Sequence, residues 1–329
     1  MLRALLAALL TGLAAPAVAL CAGDSFLDTL DPEALAAIET SAAAEPYAEG
    51  TQWDLTRDGT TLTLVGTMHV HDARLAALRD RALPALQQAD LLLVEATAEE
   101  EMAMQAAFAA SPDLFLITDG PTLPDLLPPE DWAQVQAAAN DRGIPGFMVA
   151  QMQPWYLSLT LGIPACAMAD LVAGKRGLDH MLIAEAEAAG IPLQALESWE
   201  TLIDVLASST MEEQLQALQL SLLPRETQQS LYVAMLDTYF AERTAVVWAL
   251  GEVAARELTD LSETEAAEMM AETRDILLDQ RNLNWIPVIE AAAATHDTIM
   301  VAVGAAHLPG ELGLLELLAA EGWTITRVP

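Results

Sequence analysis

Five histidines occur in the 329-residue chain, and two of them close near copies of one arrangement. Gly66-Thr67-Met68-His69 follows the apolar run "TLTLV", and Gly304-Ala305-Ala306-His307 follows "TIMVAV". Both read G-x-x-H at the end of a strand-like run, with a helical pattern beyond. Imidazole titrates near neutral pH and binds transition metals through a neutral ring nitrogen. Glu95 closes a third apolar run, "DLLLVE", where an unpaired carboxylate would be costly to bury. Two imidazoles and a carboxylate at three strand ends make a candidate divalent-metal site or an acid/base cluster. In the metal reading His69, Glu95 and His307 are ligands, and Gly66 and Gly304 border the cofactor; glycine there permits a tight turn, left-handed included. Glu95 has two further readings, as general base or as cap of the helix spelled by "TAEEEMAMQAAF". His71 is read as a salt-bridge partner of Asp72, and His180 and His296 as surface residues.

Such residues need elements that bring them together. Ligands of open α/β sheets gather outside the carboxyl ends of the strands. "TQWDLTRDG" and "TTLTLVG" read as a hairpin turning at Asp58-Gly59. Residues 72–89 carry apolar positions at helical spacing behind Asp72, a candidate N-cap. "ADLLLVEAT" is a short continuous apolar run, the pattern of a strand buried on both faces. That order implies a parallel strand–helix–strand crossover. "PPEDWAQVQAAANDRG" predicts a helix stopping at Gly143; "GLDHMLIAEAEAAG" predicts one stopping at Gly190, with the strand-like "PLQALES" after it. Residues 201–283 are a helical run broken at Pro224, and the chain closes as strand, turn, helix, a stop at Gly322 and a last strand. The expected fold class is α/β: a mixed, largely parallel central sheet with flanking helices. One domain is expected over 20–329, with a helical insertion over about 201–283.

Composition narrows the setting. Hydrophobic content of 53% with 19% charge excludes a disordered chain. A net charge of −34, from 14 basic and 48 acidic residues, repels nucleic acid and anionic lipid, which are discounted as partners. The N-terminus "MLRALLAALLTGLAAPAVALC" has an early positive charge at Arg3, an apolar stretch and the triplet Ala17-Val18-Ala19. This is the pattern of a signal peptide cleaved near Ala19. A lipoprotein anchored at Cys21 fits less well, because Leu20 is bulky where small residues are required. No later apolar run reaches the roughly 18 residues that span a bilayer. The expectation is a periplasmic or secreted protein with no stable membrane anchor. Cys21 and Cys166 are the two cysteines, and export favours a disulfide between them.

"LVGTMHVHD", "ADLLLVEA", "GLDHMLIAEA", "ALES", "QRNLNW" and "VAVGAAHLPGELGLLELLAAEGWTITRV" stand in the order found in the TraB/GumN family, which the chain resembles over roughly 50–329. That family includes the membrane-anchored Tiki metalloproteases. The resemblance implies metal-dependent peptide hydrolysis using His69, His307 and Glu95. It matches Arg281 to a family Arg-Asn pair and Asp179 to the family's Gly-x-Asp. Arg281 then serves to stabilise an oxyanion or to orient Glu95; without the resemblance it reads as a helix salt-bridge partner. H-E-x-x-H, G-x-S-x-G and P-loop signatures are absent from the sequence. The expected function is an exported hydrolase that takes peptides or small molecules and uses manganese, cobalt or zinc. The alternative is a non-catalytic protein of the same fold that binds haem or sequesters peptides.

Overall fold

A computed structural model describes residues 21–329 except residue 260. The expected signal peptide, residues 1–19, lies outside the described residues. Six strands form one sheet: β1 (Gln52–Arg57), β2 (Thr60–Thr67), β3 (Leu91–Val94), β4 (Leu193–Ala195), β5 (Thr298–Gly304) and β6 (Thr324–Arg327). Their spatial order is β4-β3-β5-β2-β1-β6. β2, β5, β3 and β4 run parallel, and β1 is antiparallel to both β2 and β6. The α/β architecture with a mixed, mostly parallel sheet follows from the sequence pattern: apolar, β-rich runs at the centre and alternating residues at the edge. Asp58 (φ 50°) and Gly59 (φ 95°) make the two-residue turn between β1 and β2. Positive φ at both positions matches the right-handed twist of the strands it joins.

The crossover from β2 through the helix Leu75–Leu86 to β3 is present, but β5 lies between its two strands. That insertion puts the ends of β2, β5 and β3 side by side. Arg74, not Asp72, holds the N-cap position of the helix; Asp72 accepts a hydrogen bond from the Arg74 backbone N–H and pairs with its guanidinium. A strong local partner thus takes the carboxylate expected to pair with His71.

Each face of the sheet is covered. On one, Leu64, Leu93 and Val301 pack with Trp285, Ile289 and Leu318, from the helices Gln280–Ala293 and Leu314–Ala320. On the other, Val65, Leu92 and Met300 pack with Leu182 of the helix Leu178–Ala189 and Tyr239 of the helix Arg225–Phe240. Each fully buried leucine here contributes about 2 kcal/mol of transfer free energy. The run expected as an insertion is a series of helices, Trp199–Ala207, Met211–Leu220, Arg225–Phe240, Thr244–Leu258 and Glu263–Arg274, and it reaches the sheet through Tyr232, Leu236 and Tyr239. A further small core, with Leu123, Val135, Leu157 and Leu218, joins helices of 112–162 to the helix Met211–Leu220. The sulfurs of Cys21 and Cys166 are bonded. No helix among the described residues is long and apolar enough to cross a membrane.

Candidate functional site

The parallel strands end at a common rim, and the candidate residues stand along it. Gly66 and Thr67 pair with Val303 and Gly304, so the two G-x-x-H corners leave adjacent strands side by side. Neither glycine adopts a left-handed turn. Gly304 has φ −51° and Gly66 is not among the positive-φ residues, which corrects the left-handed option. Space is the reason for both. A Cβ on Gly66 would lie 2.7 Å from Leu308 Cδ1 and 3.1 Å from Ala305 Cα, so the corners could not approach. A Cβ on Gly304 would lie 3.3 Å from Glu95 Oε1, 3.5 Å from His69 Nε2 and 3.6 Å from His307 Cδ2. Three of the candidate side chains therefore surround one point in front of Gly304.

The two histidines are anchored differently. His69 Nδ1 donates to Asp179 Oδ2 at 2.9 Å, leaving Nε2 facing Glu95 Oε1 at 3.7 Å. Asp179 is delivered by Gly177: a Cβ there would come within 2.0 Å of the Met68 carbonyl oxygen, and Leu178 N–H donates to that oxygen at 2.9 Å. His307 is 3% exposed, and its Nδ1 donates to Asn282 Oδ1 at 2.7 Å. Asn282 Nδ2 donates to the Leu312 carbonyl, which fixes the amide orientation and leaves the His307 lone pair on Nε2. Trp285 packs against the His307 ring at 4.5 Å between centroids.

Arg281 lies between the acidic groups. Its Nη2 donates to Glu95 Oε2 at 2.7 Å, its Nε to Glu197 Oε1 at 3.0 Å, and its Nη1 approaches His307 Nε2 at 3.4 Å. Its partners come from distant parts of the chain, except for the Leu277 carbonyl, four residues before it. One turn of π-helix, Asp275–Asp279, precedes that helix. Glu95 also accepts the Gly304 N–H at 2.6 Å. It does not cap the following helix, whose N-cap is Thr97.

These surroundings separate the charge states. Burial pushes the Glu95 pKa up, but the His307 charge, then the His69 and Arg281 charges and the Gly304 N–H, outweigh it and hold the carboxyl at about 2. His307 pushes the same way only while protonated. Burial pulls His307 down to about 3, helped by the Arg281 and His69 charges against Glu95, so the ring is neutral at pH 7. For His69, desolvation by the crowding walls pulls downward, but the Asp179 hydrogen bond and the Glu95 and Asp179 charges lift it to about 9. The side chain is 60% exposed, so water screens these charges and the upward direction carries the argument.

Sequence reasoning missed four neighbours. Glu197 and Asn282 hold Arg281 and His307, Trp285 Nε1 donates to Glu197 Oε2 at 3.3 Å, and His180 binds Asp179. The signal was present, since Glu197 falls in "ALES" and Asn282 and Trp285 in "QRNLNW". His180 is not the surface residue its sequence suggests; it is part-buried between two carboxylates. A cleft of about 400 Å³ opens over the cluster, with apolar walls that include Met104, Leu159, Trp199 and Leu277.

The sequence profile of the TraB/PrgY/gumN family matches residues 52–327. The chain belongs to this family. Relatives include the uncharacterized protein YbaP of Escherichia coli (strain K12), 26% identical over 255 residues that cover 78% of this chain and 86% of that protein. The YbaP protein of Shigella flexneri matches to the same extent. Imidazole nitrogen and carboxylate oxygen are donor types that divalent cations accept. Each ring has Nδ1 held from behind, the arrangement that orients metal-binding histidines. The neutral His307 ring keeps its lone pair on Nε2, whereas His69 would have to give up its Nε2 proton to a cation. The 3.7 Å between His69 Nε2 and Glu95 Oε1 is near the about 3.4 Å that separates two ligands of one tetrahedral ion. Asp179 Oδ1 and Thr67 Oγ1 are buried without a partner. The third donor, His307 Nε2, faces Arg281 instead, and among the described residues no group of three or more stands ready-made around an ion.

Proposed function

We propose that this TraB/PrgY/gumN family member is an exported, divalent-metal-dependent hydrolase that acts on peptides. The observation that carries the reading is the convergence of Glu95 Oε1, His69 Nε2 and the His307 ring on one point in front of Gly304. His69, Glu95 and His307 would hold the ion. Bound there, a divalent cation supplies Lewis acidity toward a carbonyl and acidifies water. The chain's own groups have separate tasks. Asp179 and Asn282 hold the Nδ1 protons, so a cation would meet Nε2 of each ring, displacing the proton on His69 and the Arg281 contact at His307. Glu95, held ionised, is a ligand or a proton acceptor. Arg281, clamped by Glu197 and Glu95, places a fixed positive charge beside the cleft, where it stabilises a developing oxyanion. The apolar walls grip the substrate and exclude water. The Cys21–Cys166 disulfide supports an oxidising, extracytoplasmic setting.

Calorimetric titration with manganese, cobalt and zinc tests the site. His69→Ala and His307→Ala should each abolish binding while circular dichroism stays native. Unchanged affinity in both variants moves the site elsewhere. Turnover of a peptide library only with added metal supports the enzyme. The apolar walls favour a second reading, a haem- or peptide-binding protein; a Soret band on haem addition that His69→Ala removes would select it.

A further inference from the structure

Asp179 offers its two oxygens very unequally. Oδ2 lies 2.9 Å from His69 Nδ1 and 3.1 Å from His180 Nδ1, whereas Oδ1 is buried without a partner. Among the described residues, these two ring nitrogens are the hydrogen-bond partners that orient the carboxylate. On its far side, His180 Nε2 meets Glu101 Oε1 at 2.8 Å. An ionised carboxylate only accepts, so His180 Nδ1 donates to Asp179, and the hydrogen bonds to Asp179 and Glu101 raise the pKa of the ring. The result is an alternating series, His69–Asp179–His180–Glu101, that runs from the rim of the sheet to the helix Ala98–Ala110.

We propose that His180 is a positioning residue for His69, acting through Asp179: it pins Oδ2 so that His69 presents Nε2 to the cleft. The inference deepens the proposed metal site and rests on His69 working through Nε2. Removing the His180 donor frees the carboxylate to swing toward its unengaged oxygen, and the His69 ring loses its fixed orientation. Outer-shell partners of this kind change metal affinity by about 10–100-fold. A competing role is purely mechanical. The helix Ala98–Ala110 has no buried side chain, and the Glu101 bond to His180 and the Glu100 bond to the Trp199 N–H (2.8 Å) tie down its first turn.

Two amide substitutions separate these roles, because an Asn side chain puts its N–H where Nδ1 was and a Gln side chain puts its N–H where Nε2 was. The test uses full-length protein labelled with ¹⁵N-histidine, whose five imidazoles are few enough to assign. His180→Asn should keep the slowly exchanging Nδ1–H signal of His69 and the manganese affinity of wild type. His180→Gln should lose the signal and weaken manganese binding about tenfold. The reverse pattern, which the mechanical role demands, overturns the proposal. So does retention or loss of the signal in both variants with native thermal melts. If wild type binds no manganese, the metal site fails, while the His69 resonance still decides what His180 does.

Discussion

The two G-x-x-H corners share a sequence pattern and end as chemical opposites. His307 is 3% exposed, wedged between Asn282 and Trp285, and neutral. His69 opens to the cleft, is 60% exposed, and shares the Asp179 carboxylate with a second imidazole. A strand end and a glycine decide where an imidazole stands; the groups behind Nδ1 decide what it can do there. An amide behind His307 fixes a tautomer without adding charge. A carboxylate behind His69 favours a proton or another cation at that ring.

Arg281 touches both sides of the contrast, and its loss should have the largest effect. Arg281→Met leaves Glu95 and Glu197 buried without their cation and should cost about 3–5 kcal/mol in urea unfolding at pH 7. A loss under about 1 kcal/mol would mean that water, not Arg281, balances those carboxylates.

The corners should also oppose each other in pH. The His307 pKa is lowered from 6.5 to about 3, so the unfolded chain takes up a proton that the folded chain refuses. Stability should therefore fall as pH drops through that window, by an amount on the order of a few kcal/mol over its full width. His307→Gln should flatten the slope between 6.5 and about 5, above most carboxylate titration. Urea midpoints across that range measure it, and an equal slope in the variant would place the proton uptake elsewhere.

The smallest effect belongs to the open corner. The raised pKa of His69 contributes stability that is fully present below 6.5 and lost as pH rises through about 9. Solvent trims it, because the ring is largely exposed. Asp179→Asn should bring the His69 titration, followed by NMR of the ring protons, back toward 6.5 and remove the alkaline loss. A titration still near 9 would assign the shift to Glu95 instead.

Much of this was legible in the sequence because it is local. The Asp58-Gly59 turn, the helix stops at Gly143 and Gly190, and the apolar run ending at Glu95 depend on neighbours within a few residues. The G-x-x-H pair reported strand ends for the same reason. Side-chain company was harder to read. Whether His180 faces water or two carboxylates depends on where the helix Ala98–Ala110 docks, and no periodicity encodes that. Likewise β5 slips between β2 and β3 because of pairing across distant parts of the chain.

The π turn at Asp275–Asp279 has its own consequence. It amounts to one surplus residue in a helical rod running from Glu263 to Ala293, which also carries Pro287. Excising that surplus would regularise the rod but swing everything beyond it by about 100° around the axis. Arg281, Asn282 and Trp285 would turn away together, so this short irregularity acts as the index mark that aligns three side chains in a single setting.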